Sequence, residues 1–341
     1  MAGELANLGL SREAVLDFSV NLNPYGPHRL MVEAVTQARI DVYPDSTARL
    51  ARERLAGSLC VAPERIVIGN GAADLLWTAA RVLVAPGETA MMVEPTFSEF
   101  RAAASVAHAR VTEWRARPED DFAVDVPAVA AAARAGNAAA VYLCTPNNPT
   151  GATVSAADII QLAELLPQAT LVVDQSFVSL SEAHADAFVD VPDNVVRVRS
   201  LTKEHAIPGV RVGYLVASAA LAAAIERSRA AWTAGAAAQA AAWTSVDLEA
   251  FVGESRERML ADRRRLVERI RARGLLPSPT TASFCVVRVG PAAPLRSRLL
   301  ARHGILVRDC TSFGLPEHIR IGARPADDGE RLVAALAEEL R

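Results

Sequence analysis

Residues 195–217 read VVRVRSLTKEHAIPGVRVGYLVA, two apolar β-rich runs flanking a short connection that carries Lys203. Upstream the same kind of run recurs as RIVIG (65–69), AMMVEP (90–95), ARVTEW (109–114), AVYLCTP (140–146) and TLVVDQ (170–175), separated by helical patterns. This rhythm predicts βαβ units and an α/β fold with a mixed, mostly parallel sheet. The runs read as apolar on both faces, as strands covered by helices above and below should. One intervening helix has a legible start, because Ser155 with Asp158 three residues later forms a capping-box pattern before IIQLAELL. In such sheets ligands bind beyond the carboxyl ends of the strands, so the residues that close these runs are the ones to inspect.

Beyond Tyr214 the alternation stops. An alanine-rich stretch to about Trp243 predicts helix, and a second long helical pattern runs from about Asp247 to Arg273, with Arg263, Arg264 and Arg265 expected on a solvated face. SFCVVRVG (283–290), GILVRDC (304–310) and HIRIGARP (318–325), with two helical patterns, predict a small α+β domain.

With 341 residues, 51% apolar and 22% charged, the chain can build a sizeable core and is expected to form a large domain with a smaller one against it. A net charge of −3 without basic, aromatic-interleaved runs argues against nucleic acid and for small-molecule partners. The four cysteines stand far apart, which suggests neither zinc site nor disulfide framework and fits a cytoplasmic setting. The opening residues, with Glu4, Glu13 and Asp17, are unlike a signal peptide, and no run approaches the length of a membrane span. The six histidines lack metal-ligand spacing.

Taken singly, the chemically interesting residues have plain readings: Lys203 as a solvated loop lysine, Asp174 as a turn cap, Asn-Pro-Thr-Gly as a turn. Their grouping changes the weighing. Ser200, Thr202 and Arg211 near Lys203 offer two hydroxyls and a guanidinium to a phosphate monoester. Asp174 closes a strand run, and GNGAAD (69–74) follows a strand and opens a helix, offering backbone N–H groups to an anion.

The order GNGAAD, PTF, NNPTG, D-x-x-F, S-x-x-K, with an arginine eight residues beyond the lysine, resembles fold-type I pyridoxal-phosphate enzymes, the aspartate aminotransferase superfamily. DFSVNLNPYGP (17–27), YPD (43–45) and the VRD…HIRIG ending look like the branch of histidinol-phosphate aminotransferase and threonine-phosphate decarboxylase. The resemblance implies that Lys203 holds pyridoxal 5′-phosphate as a Schiff base and later moves a proton at the substrate carbon. It implies Asp174 at the pyridine nitrogen, Asn148 at O3′, and Phe97 stacked on the ring. It also implies a phosphate cup of Ala72, Ala73, Ser200, Thr202 and Arg211, with Tyr43 reaching a partner's site in a homodimer. Arg320 matches the substrate-carboxylate arginine, and Asn23 and Tyr25 are expected near the substrate. Arg308 has two readings, contact with a distal anionic group or an ordinary surface ion pair. The expected division is an N-terminal segment (1–40) packed on the small domain, a large cofactor domain (41–235) and a small domain (236–341).

Two departures stand out. Relatives commonly carry a tyrosine where Phe177 stands, and Glu204 and His205 are unusual neighbours for the lysine, His205 being readable as an added acid/base or an exposed loop residue. The expected activity is amino-group transfer on an amino acid or phosphorylated amine. The alternatives are decarboxylation of a threonine-phosphate type substrate and a non-catalytic cofactor-binding module.

Overall fold

A computed structural model describes residues 2–340. The strands are β1 (Leu16–Asp17), β2 (Ile66–Gly69), β3 (Thr89–Glu94), β4 (Arg110–Arg115), β5 (Ala138–Cys144), β6 (Thr170–Asp174), β7 (Val195–Ser200), β8 (Gly213–Val216), β9 (Phe284–Arg288), β10 (Ile305–Leu306), β11 (Arg308–Asp309) and β12 (His318–Gly322). Seven of them form one sheet in the order β2-β8-β7-β6-β5-β3-β4. Its centre is parallel, and β8 runs against both β2 and β7.

Strand alternation sends side chains to both faces, and both faces are buried. Val67, Met92, Tyr142, Val196, Val198 and Leu215 pack on one side with helices Ala72–Leu83 and Glu99–Val106. On the other, Ile66, Ile68, Tyr214 and Val216 meet helices Arg49–Leu59 and Ala236–Ser245, while Val141, Leu143, Leu171 and Val173 meet helices Val126–Ala135 and Ala156–Leu165. The last helix begins with the Ser155/Asp158 capping box. A three-stranded antiparallel sheet, β11-β12-β9, packs its own core against helices Ala292–His303 and Ala326–Glu339. The N-terminal strand β1 pairs with β10 beside it.

Four expectations need correction. ARVTEW is not apolar on both faces: β4 is an edge strand with alternating exposure. The alanine-rich stretch is two helices, Ala219–Arg227 and Ala236–Ser245, since the intervening residues 228–235 leave the helical conformation and Trp232 takes a positive φ. Arg263 is buried in helix Glu249–Arg271, donating to the Thr280 carbonyl and to Glu182 at 2.5 Å, while Arg264 and Arg265 face solvent. Lys203 lies on a one-turn helix, Leu201–Glu204, and not in an open loop.

One close approach ties the sheet to the helix that begins at Ala72. A Cβ on Gly213 would stand 2.6 Å from the Arg199 carbonyl oxygen and 2.8 Å from the Ala72 nitrogen. Gly213→Ala forces β7, β8 and the start of that helix apart, and overpacking against backbone costs about 1–3 kcal/mol or more. A lowered thermal midpoint is the expected result, and an unchanged one would show the contact to be slack.

Candidate active site

The carboxyl ends of β5, β6 and β7, with the connections that follow them, converge on a cavity of about 520 Å³. Its walls include Ala72, Ala73, Phe97, Asn148, Asp174, Ser200, Thr202, Lys203 and Arg211. Asp174 is the last residue of β6 and is buried. Its Oδ1 accepts the Ser176 backbone N–H at 2.9 Å, and its Oδ2 accepts the Tyr142 hydroxyl at 3.1 Å. Burial pushes its pKa up, opposed by these hydrogen bonds and by the Lys203 charge.

Lys203 is the only lysine in the sequence; every other member of the 36 Lys and Arg residues is arginine. Arginine stays charged, whereas a buried lysine amine can be held neutral and nucleophilic. Here burial first, then the Arg211 charge, lower the Lys203 pKa, while Asp174 acts in the opposite sense. The lysine turn is held from outside, since Asn23 donates its backbone N–H to the Lys203 carbonyl at 3.0 Å and its side-chain amide to the Glu204 carbonyl at 2.9 Å.

Beside the lysine is a ready anion cradle. Gly71, at φ +86°, precedes helix Ala72–Leu83 and leaves the first backbone N–H groups of that helix without a side-chain cap. A Cβ on Gly71 would lie 2.6 Å from the Arg211 guanidinium, so only glycine lets that arginine close over the helix start. The Ser200 and Thr202 hydroxyls, 2.8 Å apart, face the same cavity. Backbone N–H groups, two hydroxyls and a guanidinium suit a phosphate monoester.

Arg320 on β12 is buried, and burial lowers its pKa to about 10. It donates to the Asn148 side-chain oxygen and, at 2.5 Å, to the Ser19 carbonyl. The oxygen of the Asn148 amide is thereby occupied, leaving its NH2 group as the donor toward the cavity. Phe97 is half-buried against the core beneath the sheet. Phe177 is buried edge-on to Phe284 at 5.2 Å, and Arg320 lies over that same Phe284 ring at 5.6 Å. Cys144 and Ser176 also line the cavity, although neither stands out in the sequence. The strand-end rule was the available signal for both.

The remaining expected residues lie outside this cavity wall. Asn23 is buried and bonded to the lysine turn. The Tyr25 hydroxyl donates to Asp262, with Arg258 stacked 3.6 Å from its ring, and burial and that carboxylate raise its pKa to about 12. Arg308 is directly opposite Arg320 in the β11–β12 pairing and donates to Ser312 at 2.8 Å; among the described residues it has no ion pair. Tyr43 is 80% exposed and its ring lies tilted against Trp232, with centroids 4.8 Å apart. The reading of His205 as an exposed loop residue is corrected: it is buried, with Nε2 3.6 Å from Glu204. Among the described residues no group of acids, cysteines and histidines could hold a metal, and no helix is long and apolar enough to cross a membrane.

The family model for aminotransferase class I and II matches residues 13–336. A histidinol-phosphate aminotransferase from Symbiobacterium thermophilum is 34% identical over 326 residues, 94% of this chain and 89% of that protein. The structure of histidinol-phosphate aminotransferase from Sinorhizobium meliloti in complex with pyridoxal-5′-phosphate superposes with a TM-score of 0.90 at 26% identity, covering all of this chain and 94% of that one. L-threonine-O-3-phosphate decarboxylase from Porphyromonas gingivalis shares the fold, with a TM-score of 0.82 at 24% identity over 95% of this chain and 99% of that one. This chain belongs to the class I and II aminotransferase family.

Proposed function

We propose that the chain is a pyridoxal 5′-phosphate-dependent aminotransferase acting on an amino acid or phosphorylated amine of the histidinol-phosphate kind. The observation that carries this is the single lysine, half-buried between a buried carboxylate and an anion cradle. The residues fit the cofactor: a Gly71 cradle that a Cβ would fill, two hydroxyls bonded only to each other, and an acid, Asp174, without a cationic partner in ion-pair reach among the described residues. When bound, pyridoxal phosphate supplies an electron-poor ring that takes up the electron pair of a bond broken at the substrate's α-carbon.

In this reading Ala72, Ala73, Ser200, Thr202 and Arg211 hold the phosphate. Asp174 sits at the ring nitrogen and favours its protonated form; a cation there offsets the cost of burying the carboxylate. The Asn148 NH2 group donates to O3′, and Phe97 covers one ring face. Lys203 would hold the cofactor through its amine and would move a proton at the substrate's α-carbon; its lowered pKa favours the neutral amine this needs. Arg320 takes the substrate's anionic group, and its neighbour Arg308, free of carboxylates among the described residues, meets a second anionic oxygen.

Asn23 serves the substrate site indirectly by fixing the lysine turn, and its side-chain oxygen accepts the Tyr25 backbone N–H. The exposed Tyr43 supports a homodimer in which it reaches the partner's cofactor site. Residues 1–40, 41–235 and 236–341 serve as N-terminal segment, cofactor domain and small domain, except that helix Ala236–Ser245 packs on the large sheet and goes with the cofactor domain; the pairing of β1 with β10 supports the first of these. A cytoplasmic setting is part of the same proposal, supported by four free cysteines.

Two measurements test this reading. Incubated with pyridoxal phosphate and a panel of amino acids and phosphorylated amines, the protein is expected to form pyridoxamine phosphate without carbon dioxide. Carbon dioxide without pyridoxamine phosphate would instead establish decarboxylation, and silence with every substrate would leave a binding module. In Phe177→Tyr a phenol is added as a donor toward O3′. Stabilising that charge lowers the pH midpoint of the bound cofactor's visible band relative to the parent, by up to about one pH unit. A midpoint that stays or rises contradicts the placement of residue 177 beside O3′.

A further inference from the structure

The strands that end at the cofactor cavity line a second cleft with their alternate residues. Asp174 and Ser200 face the first; their neighbours Gln175 and Arg199 face the second, a cleft of about 670 Å³ that shares no residue with it. Arg65, Arg197, Arg199 and Tyr214 are among its lining residues. Arg197 is 6% exposed and Arg199 8%.

Two buried guanidiniums on one face of β7 repel each other, and each needs an anion. Among the described residues neither has a carboxylate within ion-pair distance, although Arg199 also lines a neighbouring pocket with Glu204 and Glu249. Arg197 donates through one nitrogen to the Ala187 and Val189 carbonyls, at 3.1 and 2.7 Å. Arg199 donates to the Ser179 hydroxyl at 3.0 Å and lies 5.9 Å from the Tyr214 ring centroid. The cleft's one carboxylate, Asp190, is 84% exposed, pairs with Arg65 at 3.8 Å and acts on Arg197 only from beyond ion-pair distance. Gln175, 2% exposed and beside Arg199, has a side-chain oxygen without a partner. An amide stands where a carboxylate would have neutralised the pair. The burial of Arg197, with the Arg199 and Arg65 charges behind it, lowers its pKa to about 10.

We propose that this cleft binds a small oxyanion of the phosphate type between Arg197 and Arg199. The guanidinium forks match tetrahedral oxyanions, and their remaining N–H groups have no partner among the described residues. Such an anion lies one residue behind Asp174 and Ser200, so its binding stiffens the strand ends that carry the cofactor site.

The test uses the protein loaded with pyridoxal phosphate, so that its own phosphate cradle is filled, and inorganic phosphate against sodium chloride at matched ionic strength. Phosphate at 100 times its Kd is expected to raise the thermal midpoint of the parent by about 4 °C. Arg197→Met removes the rise. Gln175→Glu builds a carboxylate into the cleft, so it raises the phosphate-free midpoint and also removes the rise. No rise in the parent, a rise that survives in either folded variant, or a Gln175→Glu protein less stable than the parent overturns the proposal.

Discussion

Burying a carboxylate at the end of a central strand costs several kcal/mol unless hydrogen bonds and a positive charge offset it. Asp174 bears that cost at the point where β5, β6 and β7 end together. The Ser176 N–H and the Tyr142 hydroxyl satisfy it only in part, and burial still pushes its pKa up. What remains is a demand for a cation in the cavity, which no side chain of the described residues meets in ion-pair reach and which the proposed cofactor's protonated ring would supply. Tyr142, fully buried and stacked on Phe100 at 5.2 Å, fixes the carboxylate from the core side.

The same strand alternation divides β6 and β7 between two environments. One set of residues faces a cavity in which an acid, an amine and anion donors are balanced against one another. The adjacent set faces a cleft in which positive charge is unbalanced. The small sheet contributes from a distance. Arg320 reaches from β12 to Asn148 and to Ser19, so the N-terminal segment, the small sheet and the large sheet meet at one guanidinium.

Much of this was legible in the sequence. Apolar runs marked the strands of the large sheet, because strands buried on both faces leave dense apolar signatures, although the edge strand β4 alternates and is not of that kind; the strand-end rule singled out Asp174 and Asn148. What stayed hidden depends on long-range partners. Arg263 looks solvated until Glu182 and the Thr280 carbonyl are seen beside it, and His205 looks exposed until the turn is closed by Asn23. The antiparallel direction of β8 is not legible from the length of the connection, residues 201–212, which turns back through the lysine helix and does not cross the sheet. The strongest signal lay in composition: one lysine among so many arginines marks the position where a charge that can be given up is needed.

That lone amine makes the central claim unusually direct to test. The protein loaded with pyridoxal phosphate, reduced with borohydride and digested, is expected to yield the cofactor-modified peptide at Lys203, with close to one cofactor per chain. A reduced protein that carries no cofactor, or carries it on the N-terminal amine with Lys203 unmodified, would contradict the account.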